Sequence, residues 1–230
     1  IGLTGIDITS YRDGAHDLGD LLIALKDVPA RIRLGSLEEG IVTREFLEKM
    51  RSAGNVCEHF HLSLQSGSDA VLRAMNRRYT RAQYLEACAL IVEFFPDAAV
   101  TTDLIVGFPT ETEEDFGQSL SIVREAGLAR VHAFPYSARP GTVAAKKKPL
   151  PDAVRRERMA RKLACAREAE ETYLARFAGR TFPALIEEDG GYTPNYIRVY
   201  AEGVKEGGMY EVRLDRREKD GYHAAVIKEI

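Results

Sequence analysis

At 230 residues, 45% apolar and 29% charged, the chain can bury a sizeable core, as one large domain or as a domain with a small appendage. A net charge of −3 argues neither for nor against a polyanionic partner, and no apolar run approaches membrane-spanning length. The N-terminus shows no basic-then-apolar leader layout. The three cysteines, Cys57, Cys88 and Cys165, lie far apart without a CxxC pair. That speaks against a disulfide framework and makes the cytosol the expected compartment.

In chain order, Leu3–Ile8 reads as a strand and Asp17–Val28 as a helix, with Leu18, Leu21, Leu22 and Leu25 at helical spacing. Arg31–Leu37 alternates like a strand. Thr43–Ala53 is helical and is stopped by Gly54. Phe60–Leu64 is a strand. Ser68–Met75 and Thr80–Phe95 are helical, the latter opened by a Thr80/Gln83 capping box. Ala98–Val106 is an apolar strand of the kind buried on both faces. Thr112, followed by Glu113, Glu114 and Asp115, starts a helix that runs to Ala126, with Gly127 as its stop. Val131–Tyr136 is a fifth strand.

Five strands alternating with helices imply a parallel sheet or a partial (βα) barrel. A closed eight-fold barrel takes about 250 residues, more than the first 150 positions supply. No GxGxxG follows any strand, which weakens a dinucleotide-binding reading. Beyond Tyr136, Pro140, Lys146–Lys148, Pro149 and Pro151 mark a linker. Asp152–Ala178 reads as one long helix, and Thr181–Ile186, Tyr196–Tyr200, Met209–Leu214 and Ala224–Ile230 as the strands of a small barrel of the oligonucleotide-binding type. The expected organisation is therefore α/β: a partial (βα) barrel over 1–150, a basic connecting helix over 151–178 and an all-β barrel over 179–230.

In parallel βα architectures, sites form at the C-terminal ends of strands. These ends carry Thr4-Gly5, Ser36-Leu37-Glu38, Ser63-Leu64-Gln65, Gly107-Phe108-Pro109-Thr110-Glu111 and Tyr136-Ser137-Ala138-Arg139. Hydroxyls, an amide and carboxylates around glycines suit a polar small molecule bearing an amine, a carboxylate and a sugar; the alternative is that they only cap helices. His59 and His61 share one strand face, but a metal pair there lacks an obvious third ligand. Glu111 could act as an acid or base, although capping or contact with an amine suits its position better.

The stretches LTGIDITSY, RIRLGSLEE, HFHLSLQSGSDAVLRAMNRRYT, TTDLIVGFPTETEEDF and VHAFPYSARPGTVAA, taken together, resemble the radical S-adenosylmethionine methylthiotransferases over nearly the whole chain. The branch acting on threonylcarbamoyladenosine in tRNA is the nearest. The branches acting on isopentenyladenosine tRNA or on a ribosomal protein remain open. The tail GYTPNYIRVYAE resembles the family's RNA-binding TRAM domain. The resemblance implies a six-stranded partial barrel whose first strand and CxxxCxxC loop would precede Ile1, with two [4Fe-4S] clusters in the full-length protein and no cluster or activity in this chain alone. It implies that Thr4 and Gly5 meet the cofactor's amino group, that Ser36, Glu38, Ser63 and Gln65 face its ribose and methionine, and that Val106, Gly107 and Phe108 lie along its adenine. Thr110 and Ser68 depart from the family pattern, where glycine and cysteine are common. The implied chemistry is radical methylthiolation at C2 of the adenine ring in tRNA, with an electron donor unspecified and a monomer favoured.

Between Arg139 and Arg167 ten basic residues face only two acids, Asp152 and Glu157. Arg139, Lys146, Lys147, Lys148, Arg155 and Arg158 are therefore candidates for phosphate contacts, as against a merely solvated helix face. Tyr196 and Arg198 are candidates on the β tail, where tyrosines could equally serve packing. A non-catalytic RNA-binding module and a phosphate-handling (βα) barrel are the competing readings.

Overall fold

Gly5 and the Asp7-Ile8-Thr9-Ser10 sequence end the first strand earlier than its apolar residues suggest. In the computed structural model, which describes residues 1–188 and 190–230, β1 is only Gly2–Leu3. Asp7 then accepts a hydrogen bond from the Thr9 N–H at 3.0 Å and caps a 3₁₀ turn over Ile8–Ser10. Side-chain capping by Asp competes with extended backbone, and here it prevails. The second expected strand is also divided. β2 (Arg33–Leu34) pairs with β1, whereas β3 (Ser36–Leu37) pairs with β4 (His59–Leu62). Between them the Gly35 N–H still donates to the Leu3 carbonyl at 2.8 Å. β4 pairs with β5 (Ala99–Val106), and β5 with β6 (Arg130–Pro135), every pairing parallel.

The helices follow their capping signals closely. α1 (Leu18–Ala24) is shorter than its leucine spacing suggests and opens with an Asp17/Asp20 capping box. α2 (Arg44–Ala53) is capped by Thr43 and ends at Gly54 in the left-handed region. α3 (Asp69–Ala74) is capped by Ser68, and α4 (Arg81–Phe94) by the Thr80/Gln83 box. α5 (Glu113–Glu125) has a Thr112/Asp115 box with three acids in its first turn. These helices bury Leu22, Leu47, Leu72 and Ile91 against Phe60, Leu62 and Leu104 of the sheet. Each such side chain withdrawn from water contributes about 1.5–3 kcal/mol.

α6 (Asp152–Ala175) is more than a connector. Arg158, Lys162, Cys165, Ala166, Ala169 and Tyr173 form one buried stripe at steps of one, three and four residues, and the helix lies along α5, β5 and β6. Cys165, Ala166 and Ala169 join the core of the parallel unit, whereas Tyr173 and Leu174 join the core of the C-terminal barrel.

That barrel is closed, in the order β10-β11-β9-β8-β7, from β7 (Thr181–Glu187), β8 (Gly190–Tyr192), β9 (Arg198–Tyr200), β10 (Met209–Arg217) and β11 (Gly221–Glu229). β9 and β11 are parallel and the remaining pairs antiparallel. β8 has no counterpart among the expected strands, because its Gly190-Gly191 start reads as a turn. The expected strand from Tyr196 starts only at Arg198. No helix among the described residues is long and apolar enough to cross a membrane.

Candidate functional site

Alternation along the parallel strands sends one set of side chains to the face away from the helices. Arg33, His59, His61, Thr101, Asp103, His132 and Phe134 meet there and, with Thr4 and Ser36, line an interior cavity of about 470 Å³ that is open to solvent along its Arg33, Ser36, His132 and Phe134 walls. The Thr101 hydroxyl lies 3.0 Å from His59 Nε2 and 3.0 Å from His61 Nδ1, and His61 Nε2 is 3.6 Å from Asp103. Burial, aided by the positive charge of Arg33, pulls His59 down to about 3, so its imidazole is neutral at any physiological pH. His61 is also lowered, chiefly by burial, against the opposing pull of Asp103.

Toward the C-terminal strand ends a mouth cavity of about 820 Å³ opens. Its walls include Gln65, Arg77, Asp103, Ile105, Phe108, Phe134, Tyr136 and Arg139. Asp103 and Phe134 border both cavities, so interior and mouth are contiguous along the strand axis. Gln65 holds φ at +67° while its backbone bridges to β5, donating to Asp103 O and accepting from Ile105 N–H, each at 2.9 Å. Left-handed backbone in a residue with a Cβ persists only where its surroundings over-determine it, and the two bonds to β5 do so here. The following Gly67 is set by close approach: a Cβ there would lie 2.6 Å from Gln118 O.

The loop after β5 is anchored from beneath. Glu111 is 3% exposed; its Oε1 accepts from the Gly107 N–H at 3.2 Å and from Arg158 Nη1 at 2.7 Å, and Arg158, 5% exposed, also donates to the Glu111 carbonyl at 3.1 Å. Burial raises the Glu111 carboxyl above the usual carboxylate range despite these partners. One turn along α6, the fully buried Lys162 ammonium donates to Ser119 O and is lowered to about 8 by burial.

The expected cofactor residues divide. Thr4 and Ser36 line the interior, and Gln65 and Phe108 the mouth. Ser63 holds the loop through its backbone, its carbonyl accepting from the Tyr79 hydroxyl at 2.7 Å. Gly5 and Glu38 are exposed and line neither cavity. Val106 and Gly107 are buried and line neither. Gly107, at φ +79°, faces α6, where its missing Cβ would lie 2.8 Å from Arg155 Cγ. Asp103, His132 and Phe134 lie within their strands rather than at the strand ends where sites of parallel βα folds gather. The polar residues at every second position of HFH, TTD and VHAF are the signal that would have found them.

The expected RNA residues divide too. Arg139 and Lys146–Lys148 are exposed beside the mouth. Arg155 covers Gly107 and pairs with Asp152. Arg158 is corrected: its guanidinium is taken up by Glu111 and Glu113 inside the fold. Tyr196 is turned toward the parallel strands. It stacks on His59 with centroids 4.1 Å apart, on the far side of the interior from the mouth. Arg198 is half-buried and lies 3.5 Å from Asp220.

Residues 1–123 match the Radical SAM superfamily. The chain belongs to the radical SAM superfamily. It is 39% identical over 211 residues to the threonylcarbamoyladenosine tRNA methylthiotransferase MtaB of Aquifex aeolicus, covering 90% of this chain and 52% of that protein. It is 34% identical over 246 residues to a tRNA-2-methylthio-N(6)-dimethylallyladenosine synthase of Staphylococcus aureus, covering all of this chain and 48% of that protein. The chain thus spans about half the length of these curated relatives. Coproporphyrinogen III oxidase (HemN) of Escherichia coli, a radical SAM enzyme, superposes with a TM-score of 0.53 at 21% identity over 65% of this chain and 36% of that one, a likeness of fold.

As a radical SAM chain it has donors that fit S-adenosylmethionine: the hydroxyls of Thr4 and Ser36, the amide of Gln65 and the aromatic face of Phe108 on two contiguous cavities. The donors do not fit an iron–sulfur cluster. Cys57, Cys88 and Cys165 are buried and separate, and among the described residues no three His, Cys, Asp or Glu side chains are placed to hold a metal ion.

Proposed function

We propose that this chain is the catalytic-barrel and C-terminal portion of a tRNA methylthiotransferase, acting at C2 of an N6-modified adenosine at position 37, with threonylcarbamoyladenosine the favoured nucleoside. The carrying observation is the mouth: a cavity of about 820 Å³, continuous with a polar interior and flanked by exposed cations. Arg139, Lys146, Lys147, Lys148 and Arg156 are exposed at that end and make no ion pair among the described residues. They suit the phosphates around an anticodon loop. The named activities of the relatives in Aquifex and Staphylococcus support the same reading. The higher identity to the former favours the threonylcarbamoyl substrate, and the complete coverage by the latter keeps dimethylallyladenosine as the second candidate.

S-adenosylmethionine, when bound, would supply the radical chemistry of the superfamily. The residues of this chain bind, orient and exclude water. Thr4 and Ser36 offer hydroxyls to the polar end of the cofactor, Gln65 its amide, and Phe108 and Tyr136 an apolar edge for a ring. Arg139, on the same wall, is placed for a phosphate or carboxylate of the nucleotide.

Mass spectrometry of position-37 nucleosides in tRNA from cells lacking the gene tests the reading. The methylthio form of one N6-modified adenosine should vanish while its unthiolated parent accumulates. An unchanged nucleoside profile would defeat the proposal.

A further inference from the structure

The β-barrel touches the parallel unit at the N-terminal ends of the strands, opposite the mouth. Asn195 Nδ2 donates to Asp97 O at 3.1 Å, the Tyr173 hydroxyl donates to Asn195 O at 2.8 Å, and Arg31 Nη1 donates to Tyr192 O at 2.7 Å. These bonds fix the loop that carries Tyr196, whose backbone sits at φ +61°. Its ring projects between two spaces. Above is the interior cavity of about 470 Å³, and below is an interdomain cavity of about 260 Å³ lined by Arg31, Cys57, Leu185 and Thr193. Tyr196, His59 and Arg33 border both. Tyr192 stacks beneath the ring with centroids 5.1 Å apart, and Arg33 and Arg130 lie over it at 4.3 and 5.5 Å. An aromatic ring flanked by an imidazole, a second aromatic and two guanidiniums is held by stacking and cation–π attraction on every side.

We propose that Tyr196 makes the C-terminal β-barrel a floor beneath the parallel strands, separating the cavity above from the interdomain space and keeping water from His59 and Thr101, which are 2% and 1% exposed. The functional meaning rests on the reading above that this cavity adjoins the site: His59, held neutral and in place, is part of its wall. On this account the appended barrel shapes that wall independently of any RNA contact. Tyr196 is a positioning residue acting through His59.

The His59 imidazole reports the seal directly. In ¹H–¹⁵N spectra of the 230-residue chain between pH 4.5 and 8, His59 should stay neutral throughout, in line with its depression to about 3. Tyr196→Phe should match the parent, because the Tyr196 hydroxyl makes no hydrogen bond among the described residues. Tyr196→Asn keeps a residue tolerant of left-handed backbone but removes the ring. It should let His59 titrate toward the ordinary value of about 6.5, held somewhat below it by Arg33, His61, Arg130 and His132. A parent His59 that protonates above pH 5 would overturn the proposal, and so would an unchanged His59 in Tyr196→Asn. Should Tyr196→Asn fail to fold, Tyr196→Gly, which also accepts left-handed backbone, takes its place in the same titration with the same two outcomes. No cofactor, cluster or RNA enters this measurement. A shielded His59 in a protein that leaves tRNA unmodified would therefore remove the proposed function and leave the floor standing.

Discussion

Replacing Arg158 with methionine tests whether the loop after β5 is held from inside the fold. Methionine can occupy the space of the arginine stem, so the loss is mainly of the guanidinium. Glu111 would keep only the Gly107 N–H at 3.2 Å as a partner for Oε1, and its Oε2 already has none. Removing one partner of a buried ion pair costs about 3–5 kcal/mol. Glu111 is already raised by burial and can escape part of that cost by taking up a proton, so we expect about 3 kcal/mol. The link to Glu113 adds little, because that carboxylate is exposed. In urea at pH 7, with a slope of about 2–3 kcal/mol/M, the midpoint should fall by about 1–1.5 M. Glu111→Gln combined with Arg158→Met should cost less than the sum of the two, with a coupling of about 2 kcal/mol. A loss under about 1 kcal/mol in Arg158→Met, or simple additivity in the double variant, would mean the guanidinium is solvated and would refute the buried clamp.

Two further predictions concern the cations of the same region. Lys162 falls from 10.5 in the unfolded chain to about 8 in the folded one, so unfolding takes up a proton between those values and stability rises with pH across that window. Relative to Lys162→Met, the parent should gain up to about 3 kcal/mol in denaturation experiments between pH 8 and 10.5; a flat difference would place the ammonium in water. Replacing Lys146, Lys147 and Lys148 with alanine should weaken binding to an anticodon stem-loop and reduce the slope of log affinity against log salt by about 2–3, the loss expected for three phosphate contacts. An unaltered slope would move the RNA elsewhere on the surface.

Where a signal was local, the sequence carried it. Thr43, Thr80 with Gln83, and Thr112 each start a helix at the position their side chains dictate, because the cap and the N–H it satisfies are three residues apart. Asp7 and Gly35 show the reverse: local hydrogen bonding and a change of strand partner interrupt segments that apolar content alone joins into longer strands. Arg158 and Lys162 read as a basic outer face because charge normally faces solvent. Only contact with Glu111 and Ser119, on an element far earlier in the chain, turns them inward. The small residues Cys165, Ala166 and Ala169 on the same face were the available hint. Tyr196 gave no such hint. Its neighbour His59 is remote in sequence, and a tyrosine in a turn of a nucleic-acid-binding type of barrel reads naturally as an RNA contact. The mouth was legible as a place, since strand ends converge there, but its Asp103 and Phe134 walls depend on the face each strand turns inward.

α6 runs the height of the molecule, 24 residues or about 36 Å, from the Gly107 loop to the base of the small barrel. Its last turns and the residues just after it, Tyr173, Leu174 and Phe177, fill the barrel's own centre, and the Tyr222 hydroxyl donates to Leu174 O at 2.6 Å. A β-barrel produced from residue 179 onward would be missing its keystone and should collapse or aggregate. The two halves should therefore melt as one.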